Sequence, residues 1–164
     1  MKPSEEIVQL VDQDNQEIGV ISRQLMREQR LTHRACYILV FNSAGELFIQ
    51  KRTQSKDIYP GYWDVAAGGV VLAGESYEES AERELAEELG VSGGQLAFLF
   101  DQYYEDENNR VWGRVFRCVH EGSFVLQKEE VESGLFLSPA AALQLSQQEP
   151  FTPDGIVLLQ KILL

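Results

Sequence analysis

The chain has few cysteines, few cations and no long apolar run, and each shortage excludes a class of function. Cys36 and Cys118 lie far apart in apolar, strand-like runs and form no CxxC pair, so neither a disulfide framework nor a thiolate metal site is expected. Both read as core thiols. No stretch approaches the roughly 20 apolar residues that a membrane span requires, so no membrane partner is expected. The opening residues, Met1-Lys2-Pro3-Ser4-Glu5-Glu6, lack the apolar core of a secretory signal, and their two carboxylates argue against a mitochondrial presequence. The chain is therefore expected to begin at Met1 and to stay in the reducing cytosol. Lys and Arg total 14 against 26 Asp and Glu, a formal net charge of −12, which repels a phosphate backbone. Nucleic acid is not an expected partner, whereas a phosphorylated small molecule arriving with a divalent cation is not excluded.

What is present describes one globular domain. The 164 residues, 44% apolar and 24% charged, suit a single core spanning about residues 32–163, preceded by an N-terminal hairpin extension. Apolar alternation over residues 6–11 and 17–21, separated by Asp14-Asn15, predicts that hairpin, and Ser22 opens a short helix. Residues 36–41 and 46–52 read as two strands joined at Asn42-Ser43-Ala44-Gly45 and expected to pair antiparallel. A loop over residues 53–62 leads to short apolar runs around Trp63 and Val70. Residues 96–104 and 111–119 flank Asn108-Asn109 as a second hairpin, with another strand near residues 135–137. Two helices close the chain, one opened by Ser138-Pro139 and one capped by Asp154. Strands interspersed with helices, with hairpins in the sheet, predict an α/β sandwich: a mixed sheet between helical layers. No repeat or linker interrupts the pattern. A homodimer is the default expectation for assembly.

The helix predicted over residues 77–89 carries the chemistry. Ser76 and Glu79 have the spacing of a capping box, and Gly90 suits the position just past the C-terminus. At about 100° per residue, Ala81, Leu85 and Leu89 share one stripe while Glu84, Glu87 and Glu88 share a separate arc. Like charges three and four residues apart destabilise a helix by a few tenths of a kcal/mol per pair, so three clustered carboxylates call for a cation. Magnesium fits, as a hard ion that bridges carboxylates to substrate phosphates, and manganese accepts the same oxygen-rich site. Taken alone, the arc reads equally as a solvated helix face.

The wider spacing decides between these. Gly69, five residues, Glu75, seven residues and then Arg83-Glu84-Leu85-Ala86-Glu87-Glu88-Leu89-Gly90-Val91 fill every fixed position of the Nudix signature. Such a match arises by chance on the order of once per 10^9 start positions. The chain thus resembles the Nudix hydrolases. That resemblance implies the Nudix fold, a divalent cation on Glu84, Glu87 and Glu88, and hydrolysis of a diphosphate linkage in a nucleoside-diphosphate-like small molecule. It also implies that Glu75 and Arg83 brace the loop against the helix, and that Gly69 lets the backbone come close to metal or substrate. Water attacks phosphorus in such chemistry, and Glu88 and Glu130 are the two candidates to take its proton. Lys51 and Arg52 end a strand and either meet phosphate oxygens or cap an edge as surface cations. Tyr103, Tyr104 and Trp112 either stack on a base or belong to the core.

Residues 7–91 further resemble the isopentenyl-diphosphate-isomerase-like branch, through Leu31-Thr32-His33-Arg34-Ala35 and Lys51-Arg52-Thr53 before Pro60-Gly61-Tyr62-Trp63. The isomerases carry a cysteine and then Gly-His-Pro where this chain has Ala67, Gly68, Gly69 and Val70. Isomerisation is disfavoured on that ground. His33 matches a second isomerase metal histidine but is read as a strand-edge residue with a hydrogen-bond partner. Arg110-Val111-Trp112-Gly113 and Phe151-Thr152-Pro153-Asp154 extend a likeness to the YfcD-type bacterial Nudix proteins over nearly the whole chain. A third alternative is a nucleotide-binding Nudix-like module without turnover.

Overall fold

The expected hairpin opens the chain. Strands β1 (Ile7–Val11) and β2 (Glu17–Ser22) pair antiparallel around a turn where Asn15 takes a φ of 60°, a conformation asparagine tolerates better than most residues. The structure, a computed structural model, describes residues 2–164, so the expectation at Met1 lies outside it. Ser22 Oγ accepts from the Leu25 amide and caps helix α1 (Arg23–Glu28). Strand β3 (His33–Phe41) begins three residues earlier than the apolar run from Cys36 suggests. Beyond it lie β4 (Leu47–Arg52), β5 (Trp63–Asp64), β6 (Ala67–Val70) and α2 (Tyr77–Leu89). The chain continues through β7 (Ala97–Glu105), β8 (Arg110–Val119), β9 (Val131–Leu137), α3 (Pro139–Leu145) and α4 (Pro153–Ile162).

Pairing around β3 makes the sheet mixed, as expected, and opens a cleft that the sequence did not announce. One edge of β3 runs parallel to β8 along its whole length, from His33↔Val111 to Phe41↔Val119. Its other edge is shared: β1 meets it at Leu10↔His33, β6 at residues 35–38 and β4 only at Phe41↔Leu47. The β3–β4 pair is therefore antiparallel, but it splays after a single residue pair. Strand β4 instead pairs with β9 over Leu47↔Leu137 to Arg52↔Val131, and with β5 at Gln50↔Asp64 and Lys51↔Trp63. The segment 63–70 fills the resulting gap.

Alternation along β3 sorts the core into two layers, because successive side chains of a strand point to opposite faces. Ala35, Tyr37 and Leu39 pack with Ala142 of α3 and Leu158 and Leu159 of α4. Cys36, Ile38 and Val40 pack with Ala81, Leu85 and Leu89 of α2. The sheet thus lies between helical layers. Fully burying a leucine contributes about 1.5–3 kcal/mol, so this stripe of α2 fixes the rotation of the helix and hence where its acidic face points. Both cysteines are buried and unpaired.

Asp154 does not cap α4. Thr152 occupies the N-cap without a side-chain cap bond, and Asp154 Oδ2 accepts from the Tyr37 hydroxyl at 2.7 Å. A phenol buried in the sheet needs an acceptor, and that demand takes the carboxylate away from the helix end.

Candidate catalytic cleft

Local forces fix α2 at both ends. Ser76 Oγ accepts from the Glu79 amide at 3.0 Å, and Glu79 Oε1 accepts from the Ser76 amide at 3.0 Å, closing the capping box. Gly90 ends the helix in the left-handed region with φ 68°. Within the first two turns Arg83 grips Glu75 with two parallel bonds, Nε to Oε2 at 2.7 Å and Nη2 to Oε1 at 3.1 Å. Glu75 Oε1 also accepts from the Leu72 amide at 3.0 Å, so the loop before α2 is tied to the helix by a fork and a backbone bond. Burial pushes the Glu75 carboxyl up, but the Arg83 bonds and the Leu72 amide outweigh it and hold it below the usual range.

The three signature glutamates lie on one face of α2 in different surroundings. Glu87 is half exposed, Glu84 mostly buried and Glu88 almost wholly buried at 4%. Arg83 Nη1 bonds both Glu84 Oε1 at 3.0 Å and Glu87 Oε2 at 3.3 Å. Glu88 Oε1 accepts from the Gly68 amide at 2.8 Å. With Arg83 between two of them and Gly68 holding the third, no three acidic, histidine or cysteine side chains converge on one point among the described residues. Burial pushes Glu88 up to about 8, with the neighbouring Glu84 charge adding to it, and burial likewise raises Glu84. Two buried carboxylates that resist ionisation together are a site short of positive charge, which a divalent cation would supply. The donors are all carboxylate oxygens, the type a hard divalent ion takes, but Glu84 and Glu87 are drawn to Arg83 and Glu88 to the Gly68 amide, so binding an ion would require them to turn from these partners.

Two glycines allow this closeness. A side chain at Gly68 (φ +139°) would meet the Cys36 carbonyl oxygen at 2.0 Å, and one at Gly69 would meet Glu84 Oε1 at 2.8 Å. Strand β6 can press between β3 and the acidic face only because both positions are bare.

The acidic face forms one wall of a cavity that also includes Gly68, Gly69, Arg83, Glu84, Glu87, Gln127 and Glu130, with Arg23 and Lys56. Those last two cations and the two glycines also line a second, adjoining cavity, where Arg27, His33, Arg52, Asp64 and Asn109 lie. The two adjoin across these shared walls and together make a cleft region, with Glu84 and Glu87 of α2 in the first and Arg27 and Arg52 in the second. Lys56 Nζ bonds Glu130, and Arg52 donates to the Ile58 carbonyl at 2.9 Å and to Asp64 Oδ2 at 3.4 Å.

A NUDIX-domain family model matches residues 31–159. The chain belongs to the Nudix family. A Pseudomonas aeruginosa protein described only as an uncharacterized Nudix hydrolase is 43% identical over 155 residues, covering 94% of this chain and 92% of the relative. The Escherichia coli uncharacterized Nudix hydrolase YfcD is 44% identical over 153 residues, covering 93% of this chain and 84% of that protein. Among solved structures, the Deinococcus radiodurans protein DR0079 superposes with a TM-score of 0.84 at 27% identity, covering 95% of this chain and 98% of that one. A MutT protein from Methanosarcina mazei shares the fold, with a TM-score of 0.65 at 21% identity over 79% of this chain and 94% of its own. The YfcD-type likeness of the sequence and the mixed-sheet Nudix fold thus agree with these relatives.

Within this Nudix domain, the structure brings Gly69, Arg83, Glu84, Glu87 and Glu130 to one cavity, with Glu75 and Glu88 bonded to its walls. Lys51 and Arg52 part company. Strand alternation puts Lys51 on the face of Leu47 and Ile49, its Nζ 6.0 Å from the Trp63 ring centroid, while Arg52 turns into the cleft. His33 has its expected partner, Nδ1 lying 2.9 Å from the Leu31 carbonyl, but it is buried and not at an edge. Burial, reinforced by Arg27, pushes its pKa down to about 3, so the imidazole is neutral. Trp112 donates to the Gln13 carbonyl at 3.1 Å and lies 5.4 Å from the Tyr103 ring, outside the cleft walls described above. Sequence reasoning missed Arg23, Arg27 and Lys56. The spacing of four between the two arginines on a short helix was a signal that they share a face.

Proposed function

We propose that this Nudix chain hydrolyses the diphosphate linkage of a nucleoside-diphosphate-like small molecule with a divalent cation, magnesium or manganese, held by Glu84, Glu87 and Glu88. The observation that carries the reading is the buried Glu84–Glu88 pair, whose raised carboxyls look for a cation at the end of a cleft lined further on by Arg23, Lys56 and Arg52. The bound ion would offset phosphoryl charge and make water a better nucleophile. The rest falls to the chain. Glu75 and Arg83 hold α2 against the loop, so the carboxylates keep their orientation through the reaction. Arg52 and Lys56 receive phosphate oxygens from the opposite wall and keep the diphosphate in line. Glu130 takes the proton of the attacking water as its contact with Lys56 passes to substrate, or Glu88 does once a cation brings it into its ionised form. A pH–rate profile of the Glu130→Gln variant separates the two. Substrate hydrolysis in this reading uses residues 1–164 as one domain.

The test is a panel of nucleoside diphosphates and their derivatives with magnesium or manganese, read by release of phosphate or monophosphate. Turnover is expected for at least one member, with losses of about 100-fold or more in Glu87→Gln and Glu88→Gln, at or beyond the upper end of what supporting residues cost. Undiminished turnover in both variants would sink the mechanism. Nucleotide binding without turnover anywhere on the panel would favour a binding module.

A further inference from the structure

The basic end of the cleft contains an arrangement that diphosphate hydrolysis alone does not explain. Arg23 and Arg27 stand one turn apart on α1, in the segment that precedes the family-matched residues 31–159. Both guanidinium side chains are largely buried, at 14% and 16% exposure, although the protein has an excess of acid. One loop carboxylate faces both. Asp57 Oδ2 accepts from Arg23 Nε at 2.9 Å and from Arg27 Nε at 3.2 Å, and Asp57 Oδ1 accepts from Arg23 Nη2 at 3.5 Å. Arg23 also reaches Glu6 at 3.3 Å, and Arg27 Nη1 donates to Asn109 Oδ1 at 3.3 Å. Arg27 Nη2 has no acceptor among the described residues. Burial, with the like charges of Arg23 and Arg52, holds Arg27 below its usual pKa despite Asp57, whereas at Arg23 burial is outweighed by Asp57 and Glu6, which raise it.

We propose that Arg23 and Arg27 form an anion subsite for a phosphoryl group of the substrate distant from the acidic wall, and that Asp57 fills this subsite in the free protein. The proposal rests on the hydrolase reading for the identity of its ligand. A phosphoryl group offers three oxygens, which can take Arg27 Nη2 as well as the Nε donors of both arginines, more than one carboxylate accepts. The two cavities share Arg23, Lys56, Gly68 and Gly69, so the arginine pair adjoins the cavity of the glutamates and a chain of phosphates would run from one to the other. Asp57 is carried on the 53–62 loop, which Tyr59 fastens to Asp106 of the β7–β8 turn. Its displacement by substrate would release one anchor of that loop while the other holds.

Calorimetric titration of inorganic pyrophosphate in low-salt buffer with EDTA tests the subsite without the metal. Asp57→Asn removes the competing charge and is expected to tighten binding about fivefold, while Arg23→Gln with Arg27→Gln weakens it about tenfold or more. Lys51→Ala, on the face of β4 opposite Arg52, is expected to leave it unchanged. Unchanged or weaker binding by Asp57→Asn overturns the proposal, as does wild-type affinity in the double arginine variant. Should the double variant fail to fold, Asp57→Asn decides alone. A tightened Asp57→Asn in a protein that hydrolyses no diphosphate keeps the subsite and removes the hydrolase reading. Hydrolysis with unchanged KM and pyrophosphate affinity in the double variant does the reverse.

Discussion

The two ends of the cleft are built by opposite means. At the acidic end one helix supplies Glu84, Glu87 and Glu88, and its caps, its buried stripe and the fork from Arg83 to Glu75 in the preceding loop are all set within about fifteen residues of chain. At the basic end Arg23 and Arg27 come from the N-terminal extension, Arg52 from a strand and Lys56 from a loop, and only the tertiary fold brings them together. The first wall is tied together by local bonds and belongs to the signature. The second is assembled from parts that a related chain can exchange, so it is where substrate choice belongs.

Several substitutions would break or sharpen this contrast. The largest effect is expected at the acidic wall, where Glu88→Gln should lower kcat about 100-fold or more while KM moves little, measured by steady-state phosphate release. Equal changes in kcat and KM at both walls would erase the division of labour. Arg83→Lys keeps the charge but loses the fork to Glu75, and a fall in activity of about 10- to 100-fold is expected, with far-UV circular dichroism unchanged. Titration of Glu88 gives the third effect. Its folded pKa of about 8 lies above that of an unfolded carboxyl, so the folded state binds the extra proton between those values and loses stability as pH rises toward 8. Denaturant melts of metal-free protein should therefore show Glu88→Gln gaining on the order of 2 kcal/mol over wild type at pH 8, and little at pH 4. At the basic wall, Arg52→Gln should raise KM roughly tenfold, whereas Lys51→Ala, on the opposite face of β4, should change it by less than about twofold.

The same contrast explains what the sequence revealed. The α2 boundaries, its capping box, the Gly90 terminus and the partnership of Glu75 with Arg83 were legible because short-range geometry dictates them. The sheet was legible as mixed and its two hairpins, β1–β2 and β7–β8, as antiparallel pairs, but the sharing of β3 among β1, β6, β4 and β8 was not. The turn at Asn42 to Gly45 reports that β3 and β4 reverse direction, yet it carries no information that β5 and β6 will prise them apart after Phe41↔Leu47. Asp154 had the sequence position of a cap, and only the nearness of Tyr37, 117 residues away, gives it a different bond. Lys51 and Arg52 were read as a pair although strand alternation already separates them. The spacing of Arg23 and Arg27 could show that they share a helix face, but that this face meets Asp57, and that Lys56 meets Glu130, needed the folded chain.

Titration of manganese, followed by the loss of its free-ion paramagnetic resonance signal, most directly tests whether the carboxylates of α2 take a divalent ion. Wild-type protein should bind the ion, and Glu84→Gln, Glu87→Gln and Glu88→Gln should each weaken binding about tenfold or more while Glu79→Gln does not. Equal manganese affinity in all of these proteins would contradict the account.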